Sequence, residues 1–516
     1  MTRLFQITVA FLAGAVSALA QSAAPASTPR VRSHVERFTT LDARAERVEA
    51  ETSAKLTANP NDTESLNLRA AARILSGHYS EAHEDLRRAV SMKPDNPNYQ
   101  ANLGYVLWKL GRAEEAISAQ RVALKLDDRN FTAHYQLGRF LLRLNGPGQA
   151  AEAAVHLRRA LELDPLRQEV RFELIAAYRA LGDQAQASTQ LDFLSDARPT
   201  DARVFYTSAL LATDRDDLEA AIRDFREAVR RDPTLFEAWQ DLGLVYIKLK
   251  RWPDAVDTFG EVARRQPSSV DAAYLHALSL LNNGHAADAE REARRALRIN
   301  AGAAEAHTLL GVILASRGTA NSEASEALSQ AAALKPKSFD AHFYLGRVLY
   351  ALRDYAGASR SLREAVKLNP QHAEARFFLG TTLEASGESD AAMEEYRELV
   401  RLDRASAIGQ IGLGALLVKQ GKTDEAISTL SRAIALDSKS FEAHWALGRA
   451  FVIAVRYTEA IGALKIAVSI RPERADAHYQ LGLALKRLGR DEDAAREFAL
   501  VEEINREFRI STAPKN

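Results

Sequence analysis

The sequence of 516 residues contains no cysteine and no excess of charge of either sign. The absence of cysteine excludes disulfide bonds, thiol catalysis and zinc sites with cysteine ligands. Lysine and arginine total 68, and aspartate and glutamate also total 68, so the basic excess typical of nucleic-acid binders is missing. Glycine (26) and proline (15) are too few for a largely disordered chain. These absences favour an ordered protein whose partners are not nucleic acids.

Long hydrophobic stretches are also missing, apart from one at the N-terminus. Residues 1–20, MTRLFQITVAFLAGAVSALA, contain one basic residue and then an apolar segment that ends in Ala18-Leu19-Ala20. This arrangement predicts a signal peptide that is cleaved after about Ala20, and hence an exported protein, either periplasmic or secreted. The alternative is an uncleaved anchor, since the segment is close to the lower length limit for crossing a bilayer. Residues 21–35, rich in proline, serine and alanine, are predicted to form a flexible linker.

What the sequence does contain is an internal repeat. The hexapeptide AHYQLG occurs at 133–138 and again at 477–482, and the related AHFYLG and AHWALG occur at 341–346 and 443–448. Neighbouring copies lie mostly 34 residues apart, and aligning them gives about thirteen units between residues 63 and 506. A period of this length is typical of solenoid proteins.

One position of the repeat is alanine in every unit. These alanines are Ala82, Ala116, Ala153, Ala187, Ala221, Ala255, Ala289, Ala324, Ala358, Ala392, Ala426, Ala460 and Ala494. About twelve residues earlier most units carry glycine, and many units have a second glycine in the middle and a proline at the end. Small residues at fixed places allow two helices to pack closely, whereas the middle glycine ends one helix and proline cannot continue the other. Each unit is therefore predicted to be a helical hairpin that buries its apolar face by stacking on its neighbours.

The pattern resembles that of the tetratricopeptide repeat family. One unit reads WQDLGLVY from Trp239 to Tyr246, followed by Ala255, Phe259 and Pro267, and it matches the family signature at almost every marked position. The match extends over about thirteen units, and the main departure is histidine where the family favours tryptophan in five of them.

The resemblance implies an all-α fold, an alpha-solenoid in which stacked hairpins form a right-handed superhelix. Four segments are expected after residue 20: the flexible linker, an N-terminal capping helix at 36–60, a solenoid of about 13 repeats at 61–507, and a loose C-terminal tail at 508–516. The solenoid therefore accounts for most of the chain.

No segment of the sequence satisfies a catalytic or cofactor motif. Residues 420–423, QGKT, resemble the end of a phosphate-binding loop, but Leu416 stands where that motif needs glycine. Five of the twelve histidines occupy one repeat position, so they are expected to lie about a repeat apart, too far apart to share a metal ion. We therefore predict a protein that is not an enzyme and that has no cofactor and no metal site.

The third residue of the hexapeptide is the candidate binding position, and it is termed the ring position. Its aromatic members are Tyr135, Phe172, Tyr206, Tyr274, Phe343, Phe377, Trp445 and Tyr479. Three of them have arginine four residues later, on the same helix face: Tyr135/Arg139, Phe343/Arg347 and Trp445/Arg449. In the family that the repeats resemble, this position lines the concave groove of the superhelix. These residues are predicted to bind an extended peptide there; the alternative is that the rings only pack between hairpins.

These features together predict a non-catalytic scaffold for protein–protein interaction that binds an extended polypeptide in its groove. The resemblance implies a setting in envelope, secretion or assembly machinery. Two alternatives remain: a carbohydrate-binding solenoid that uses the aromatic row, and a non-catalytic arm of a glycosyltransferase complex. The expected partner is a protein or peptide and not a nucleic acid. No membrane span is expected after the signal peptide is cleaved, although the protein is expected to associate with the envelope.

Overall fold

The computed structural model describes residues 35–318, 321–403 and 406–512. In chain order the helices are α1 (Val35–Ala58), α2 (Thr63–Leu75), α3 (Tyr79–Met92), α4 (Pro97–Lys109), α5 (Ala113–Leu126), α6 (Phe131–Leu144), α7 (Gln149–Leu163), α8 (Gln168–Leu181), α9 (Gln184–Ala197), α10 (Ala202–Asp214), α11 (Leu218–Arg231), α12 (Phe236–Lys248), α13 (Trp252–Arg265), α14 (Val270–Asn282), α15 (Ala286–Ile299), α16 (Ala304–Arg317), α17 (Asn321–Leu334), α18 (Phe339–Ala351), α19 (Tyr355–Leu368), α20 (Ala373–Ala385), α21 (Ser389–Leu402), α22 (Ala407–Lys419), α23 (Thr423–Leu436), α24 (Phe441–Ile453), α25 (Tyr457–Ile470), α26 (Ala475–Arg487) and α27 (Asp491–Thr512). No strand occurs in these ranges, so the predicted all-α class is confirmed. The predicted signal peptide and residues 21–34 of the predicted linker lie outside the described residues, as do residues 513–516.

After α1 the helices associate in pairs, α2 with α3, α4 with α5, and so on to α26 with α27. In each pair the even-numbered helix is termed the first helix and the odd-numbered helix the second helix. The chain separates into two compact units, of which the N-terminal unit covers described residues 35–266 and the C-terminal unit covers those of 267–512. The N-terminal unit contains six helix pairs and the C-terminal unit contains seven. The periodicity of the sequence gives no sign of this division.

The turn inside each pair contains a residue with a left-handed backbone. Gly111, Gly182, Gly387 and Gly489, which the sequence predicts to end first helices, have φ angles between 72° and 86°. This prediction is confirmed, because a left-handed residue just past the last turn closes a helix and glycine adopts it without steric cost. In four pairs the same place is held by other residues, with φ between 56° and 64°: Asp216, Lys250, Arg353 and Val455.

The invariant alanines lie where the two helices of a pair cross. All thirteen are buried, with relative exposures of 2% or less. One turn further along the second helix, a larger side chain rests against the glycine of the first helix. A Cβ atom added to Gly243 would lie 2.5 Å from Phe259 Cζ, and one added to Gly138 would lie 2.6 Å from Leu157 Cγ. These glycines therefore allow a close approach that a larger residue prevents.

Within each unit the first helices also contact the first helices of neighbouring pairs, whereas the second helices contact mainly the first helices on either side of them. The first helices of neighbouring pairs therefore approach one another more closely than the second helices do. The surface that the first helices form within a unit is termed the first-helix layer. Because each pair contacts only its neighbours, the stacking predicted for a solenoid is confirmed in both units.

The two ends of the described chain are also helical. Leu56 of α1 is buried against Leu66 and Tyr99 of the first two pairs, and Glu49 Oε1 accepts a bond from Arg73 Nε at 2.7 Å. At the other end α27 continues to Thr512, so residues 508–512 are helical, although the sequence assigned them to a loose tail. This segment contains neither glycine nor proline, the residues that most often interrupt a helix.

Candidate functional site

The ring position lies at the interface between neighbouring first helices. Tyr206 Oη of α10 donates to Asp241 Oδ2 of α12 at 2.9 Å. In the C-terminal unit, the ring of Phe343 on α18 is 6.1 Å from that of Phe378 on α20. In both cases the partner is on the following first helix. The sequence-predicted row is therefore part of the first-helix layer in each unit.

The eight rings of the row differ in exposure. Tyr274 and Phe343 are buried, with 7% and 2% of their surface exposed, whereas Tyr479 is 47% exposed. Tyr479 lies on α26, the last first helix of the described chain, so no later first helix covers it. The other five are half-buried: Tyr135, Phe172, Tyr206, Phe377 and Trp445. The buried rings contribute to packing, and binding of a ligand by the row stays a prediction.

The three arginines predicted to share a face with a ring do lie over that ring. Their guanidinium carbons are 4.9 to 5.4 Å from the ring centroids in the pairs Arg139/Tyr135, Arg347/Phe343 and Arg449/Trp445. At this distance the cation is attracted to the electron-rich face of the ring. The i, i+4 spacing in the sequence thus produced a contact in every case.

The surroundings of the three arginines nevertheless differ. Arg139 Nε donates to Glu173 Oε1 on the next first helix at 2.9 Å. Arg347 is 4% exposed, lies 3.5 Å from Glu374, and has its pKa lowered by burial. Arg449 is half-buried and makes no ion pair with any residue of the described ranges. Of the three, Arg449 therefore has the charge that is most available to a ligand.

In the N-terminal unit, polar contacts between first helices satisfy other groups of the layer. Arg179 Nη2 donates to Asp214 Oδ1 at 2.9 Å across α8 and α10. Burial raises the pKa of the Asp241 carboxyl, and the bond donated by Tyr206 partly offsets this effect. Burial also raises the pKa of Tyr206, so its hydroxyl stays protonated and remains a donor. These residues hold adjacent pairs in register.

A structural role that the sequence analysis missed belongs to the residue just before the ring position. Where it is histidine, Nε2 lies 3.0 to 3.1 Å from the main-chain oxygen six residues earlier, in the pairs His134/Asp128, His307/Ala301, His342/Pro336, His444/Ser438 and His478/Pro472. Trp239 Nε1 donates in the same way to Pro233 O at 3.3 Å. Histidine replaces tryptophan because both rings have an N–H that reaches the loop carbonyl.

Two histidines meet inside one pair, a contact that the repeat position alone did not predict. His134 Nδ1 of α6 lies 2.9 Å from His156 Nδ1 of α7. Burial lowers the pKa of both rings, and the charge of His134 further lowers the pKa of His156. One nitrogen must donate and the other accept, so the contact requires at least one neutral ring.

The described ranges contain neither a cluster of metal-binding side chains nor a helix suited to crossing a membrane. Among residues 35–318, 321–403 and 406–512, no group of three or more histidine, aspartate or glutamate side chains is placed to hold a metal ion. No helix in the same part of the chain has both the length and the apolar character needed to cross a membrane.

Comparison with known families gives matches along most of the chain. Models described as tetratricopeptide repeat match residues 69–131, 144–211, 212–281, 274–338, 319–358, 345–407, 411–473 and 456–507, which together exceed half of the chain.

Curated relatives share only part of their length with this chain. Protein O-mannosyl-transferase TMTC3 of Homo sapiens is 26% identical over 221 residues, 42% of this chain and 24% of that protein. DnaJ homolog subfamily C member 7 of Homo sapiens is 26% identical over 202 residues, 39% of this chain and 36% of that protein. The chain thus spans well under half of either relative.

Solved structures with similar folds include the APC/C hetero-tetramer Cut9–Hcn1, at 16% identity and a TM-score of 0.45, covering 86% of this chain and 93% of that one. They also include YrrB, described as a TPR protein with an unusual peptide-binding site, at 23% identity and a TM-score of 0.34. The match to YrrB covers 37% of this chain and 97% of that one.

Proposed function

The chain belongs to the tetratricopeptide repeat family, and on this premise we propose that it is a non-catalytic scaffold that binds an extended segment of a partner protein along its first-helix layer. Helix pairs that stack in one direction present a long continuous surface, and repeat proteins use such surfaces for binding. Protein binding is also the general role of the family.

The observation that carries this proposal is the accessible pair Trp445/Arg449 on α24. The Arg449 guanidinium lies 4.9 Å from the Trp445 ring, both side chains keep part of their surface exposed, and Arg449 makes no ion pair within the described ranges. Tryptophan and arginine are the residue types that contribute most to binding energy at protein interfaces. An accessible cation above an aromatic ring can bond to peptide carbonyls or carboxylates while the ring packs on an apolar side chain.

We also propose that the protein is exported and acts in envelope or assembly machinery. The basis for this part is the composition of residues 1–20, with a basic residue, an apolar segment and a small-residue cleavage pattern. Mass spectrometry of the protein isolated from its cells should give a mature chain that begins at about Gln21. A chain that retains residue 1 would instead indicate a membrane anchor.

Site-specific photo-crosslinking in the full chain tests the binding surface. A benzophenone amino acid placed at Trp445 should form an adduct with a partner protein in cells. The matched control is the same amino acid at Phe193 on the second helix α9, where an exposed ring also lies under an arginine, Arg171, at 4.5 Å. Adducts from Trp445 but not from Phe193 are expected. Identical adducts from both positions, or adducts from Phe193 alone, would contradict binding at the first-helix layer.

The contribution of the cation is tested with a purified partner segment. Arg449→Ala removes the charge above the ring and should weaken the complex about two- to fivefold, the usual value of a cation–π contact at a partly exposed site. Arg291→Ala, which removes an exposed charge from the second helix α15, should leave the affinity unchanged. Equal affinities for wild type and Arg449→Ala would exclude this residue from the interface.

A further inference from the structure

An ion pair between successive second helices recurs along the chain. In each case an arginine five residues after one invariant alanine pairs with an acid one residue before the next invariant alanine. Each pair joins two successive second helices and so spans the gap between them. The three examples are Arg121/Glu152 at 2.8 Å, Arg226/Asp254 at 3.4 Å and Arg294/Glu323 at 2.6 Å.

The same two positions are occupied in α21 and α23, but they are not bridged. Arg397 lies five residues after Ala392, and Glu425 lies one residue before Ala426. Arg397 Nη1 instead lies 3.1 Å from Glu394 Oε1 on its own helix, which offsets its charge there. Glu425 makes no ion pair with any residue of the described ranges. The gap between these two second helices therefore stays open.

A cleft of about 420 Å³ occupies this gap in the C-terminal unit. Leu413 and Leu417 of α22 form its floor, since Leu417 is buried and Leu413 is half-buried. Arg397 of α21 lines one side, and the face of α23 that carries Glu425 and Arg432 lines the other. A volume of this size is typical of sites that hold small ligands.

The side of the cleft that α23 provides has opposite charges at its two ends. Asp424 and Glu425 lie in the first turn of α23, and Arg432 lies two turns later. None of these three groups makes an ion pair within the part of the chain that the structure describes. Seven residues of α-helix rise about 10 Å. The hydroxyl groups of Ser428 and Thr429 line the cleft between the two ends.

This arrangement suits a short ligand that has a cation at one end, an anion at the other and an apolar group between them. Carboxylates accept hydrogen bonds from an ammonium group, and a guanidinium donates two parallel bonds to a carboxylate. A leucine floor favours an apolar side chain. A free peptide of three residues spans about 10 Å when it is extended, with an ammonium at one end and a carboxylate at the other. A ligand with a single charge would leave one end of the cleft without a counter-charge.

We infer that the cleft between α21 and α23 binds a free tripeptide with an apolar central residue. The ammonium of the peptide lies beside Glu425, its carboxylate lies beside Arg432, and its central side chain packs on Leu413 and Leu417. This site is separate from the first-helix layer and goes beyond the proposed function, because an internal segment of a partner protein has neither charged terminus.

Saturation-transfer NMR titrations of the full chain test the ligand. Four peptides are compared: alanyl-leucyl-alanine with both termini free, its N-acetylated form, its C-amidated form, and the form with both ends blocked. The free peptide should bind most tightly. Blocking either end should weaken binding about two- to fivefold, the usual value of an exposed ion pair, and blocking both ends should weaken it further.

Variants of the cleft assign each end of the peptide to one residue. Glu425→Gln should weaken binding of the free peptide about two- to fivefold and leave binding of the N-acetylated peptide unchanged. Arg432→Gln should do the same for the free peptide and leave binding of the C-amidated peptide unchanged. Ser428→Leu places an apolar side chain in the cleft without changing any charge, so it should weaken binding of all four peptides. Ser428 is exposed, so this substitution is compatible with folding.

The matched control variants are Glu326→Gln on α17 and Arg360→Gln on α19. Each removes an exposed charge from a second helix of the same unit, outside the cleft. Both should bind all four peptides as wild type does. Circular dichroism of every variant establishes that it is folded.

The pattern across peptides and variants decides the inference. Losses that are confined to the matched terminus, with unchanged controls, support the cleft as the site. Equal affinities for free and blocked peptides, or equal affinities of wild type, Glu425→Gln and Arg432→Gln for the free peptide, overturn it. Failure of the free peptide to bind at millimolar concentration also overturns it. These results leave the proposed function standing, since that function is tested at the first-helix layer.

Discussion

The contact between Gly243 of α12 and Phe259 of α13 predicts how the two helices of a pair respond to one added methyl group. Phe259 is fully buried, and a Cβ atom at position 243 would lie 2.5 Å from its Cζ and 2.6 Å from its Cε2. Gly243→Ala should therefore overpack the crossing at a cost of about 1–3 kcal/mol. The better helix propensity of alanine offsets about 1 kcal/mol, so the single substitution should cost about 0–2 kcal/mol.

A double-mutant cycle removes the contribution of helix propensity, because Gly243→Ala gains the same propensity whether residue 259 is phenylalanine or leucine. Phe259→Leu shortens the opposing side chain, and the double variant then has the alanine–leucine pair that occurs naturally at Ala70 and Leu86. The clash is present only when the added methyl group faces the phenylalanine ring. We therefore expect the double variant to be more stable than the sum of the single effects by about 1–2 kcal/mol.

Amide hydrogen exchange of α12 and α13, followed by mass spectrometry, is the appropriate assay because stability in stacked repeats is partly local. The control pairs Phe259→Leu with Gly462→Ala on α25, where an added Cβ atom meets nothing within 4 Å. Gly462→Ala alone should stabilise its helix by about 1 kcal/mol, and this pair should be additive within about 0.5 kcal/mol. Equally additive effects at Gly243 and Phe259 would refute the proposed packing of the ring on that glycine.

Three further predictions concern charge, backbone strain and pH. Asp85 is 3% exposed and accepts bonds from two arginines, so Asp85→Ala should destabilise the first helix pair by about 3–5 kcal/mol in a denaturation experiment; a loss below 1 kcal/mol would contradict this. Val455 has a φ of 61° and is 68% exposed, so Val455→Gly should raise stability by about 1 kcal/mol, whereas Gly421→Val, at a φ of 73°, should lower it by about 1–2 kcal/mol. Thermal melts in which Val455→Gly lowers the stability or Gly421→Val raises it would refute the proposed backbone strain. Because His134 and His156 have lowered pKa values, the unfolded chain binds more protons than the folded chain below pH 6.5, so α6 and α7 should lose protection from hydrogen exchange as pH falls from 6.5. His156→Ala should reduce this dependence of protection on pH. If the dependence were unchanged in the variant, it would arise from groups other than the two histidines.

The repeat pattern predicts the fold well because it reports contacts inside one helix pair. Alanine recurs where two helices cross, and glycine recurs where a side chain such as Leu157 or Phe259 leaves no room for a Cβ atom. The i, i+4 spacing likewise predicts that Arg139 lies over Tyr135. Each of these contacts is set by residues close in sequence, so a single unit is enough to anticipate it.

Exposure of the candidate site is harder to predict because it depends on the next pair. Phe343 has the same place in its helix as Tyr479, yet Phe343 is covered by Phe378 of the following first helix and Tyr479 has no following first helix. The same neighbour buries Arg347, whose guanidinium carbon is 4.8 Å from the Phe378 ring centroid. Arg347, which the sequence predicts to line the groove, is therefore part of the packing between first helices.

The sequence shows the spacing between the histidines and the loop carbonyls that they bond, but it does not show the bonds themselves. Proline lies six residues before Trp239, His342 and His478, and in each case the ring N–H reaches the main-chain oxygen of that proline. The constant spacing was visible in the sequence. Its meaning was not, because a helix end and a loop can be related only once the turn geometry is known.

The claim that the first-helix layer is the binding surface is tested most directly by hydrogen exchange of the full chain with and without the partner segment found by crosslinking. Protection of first helices, α24 among them, with little change in the second helices would agree with the proposed function. Protection confined to second helices, such as α23 and α25, would contradict it.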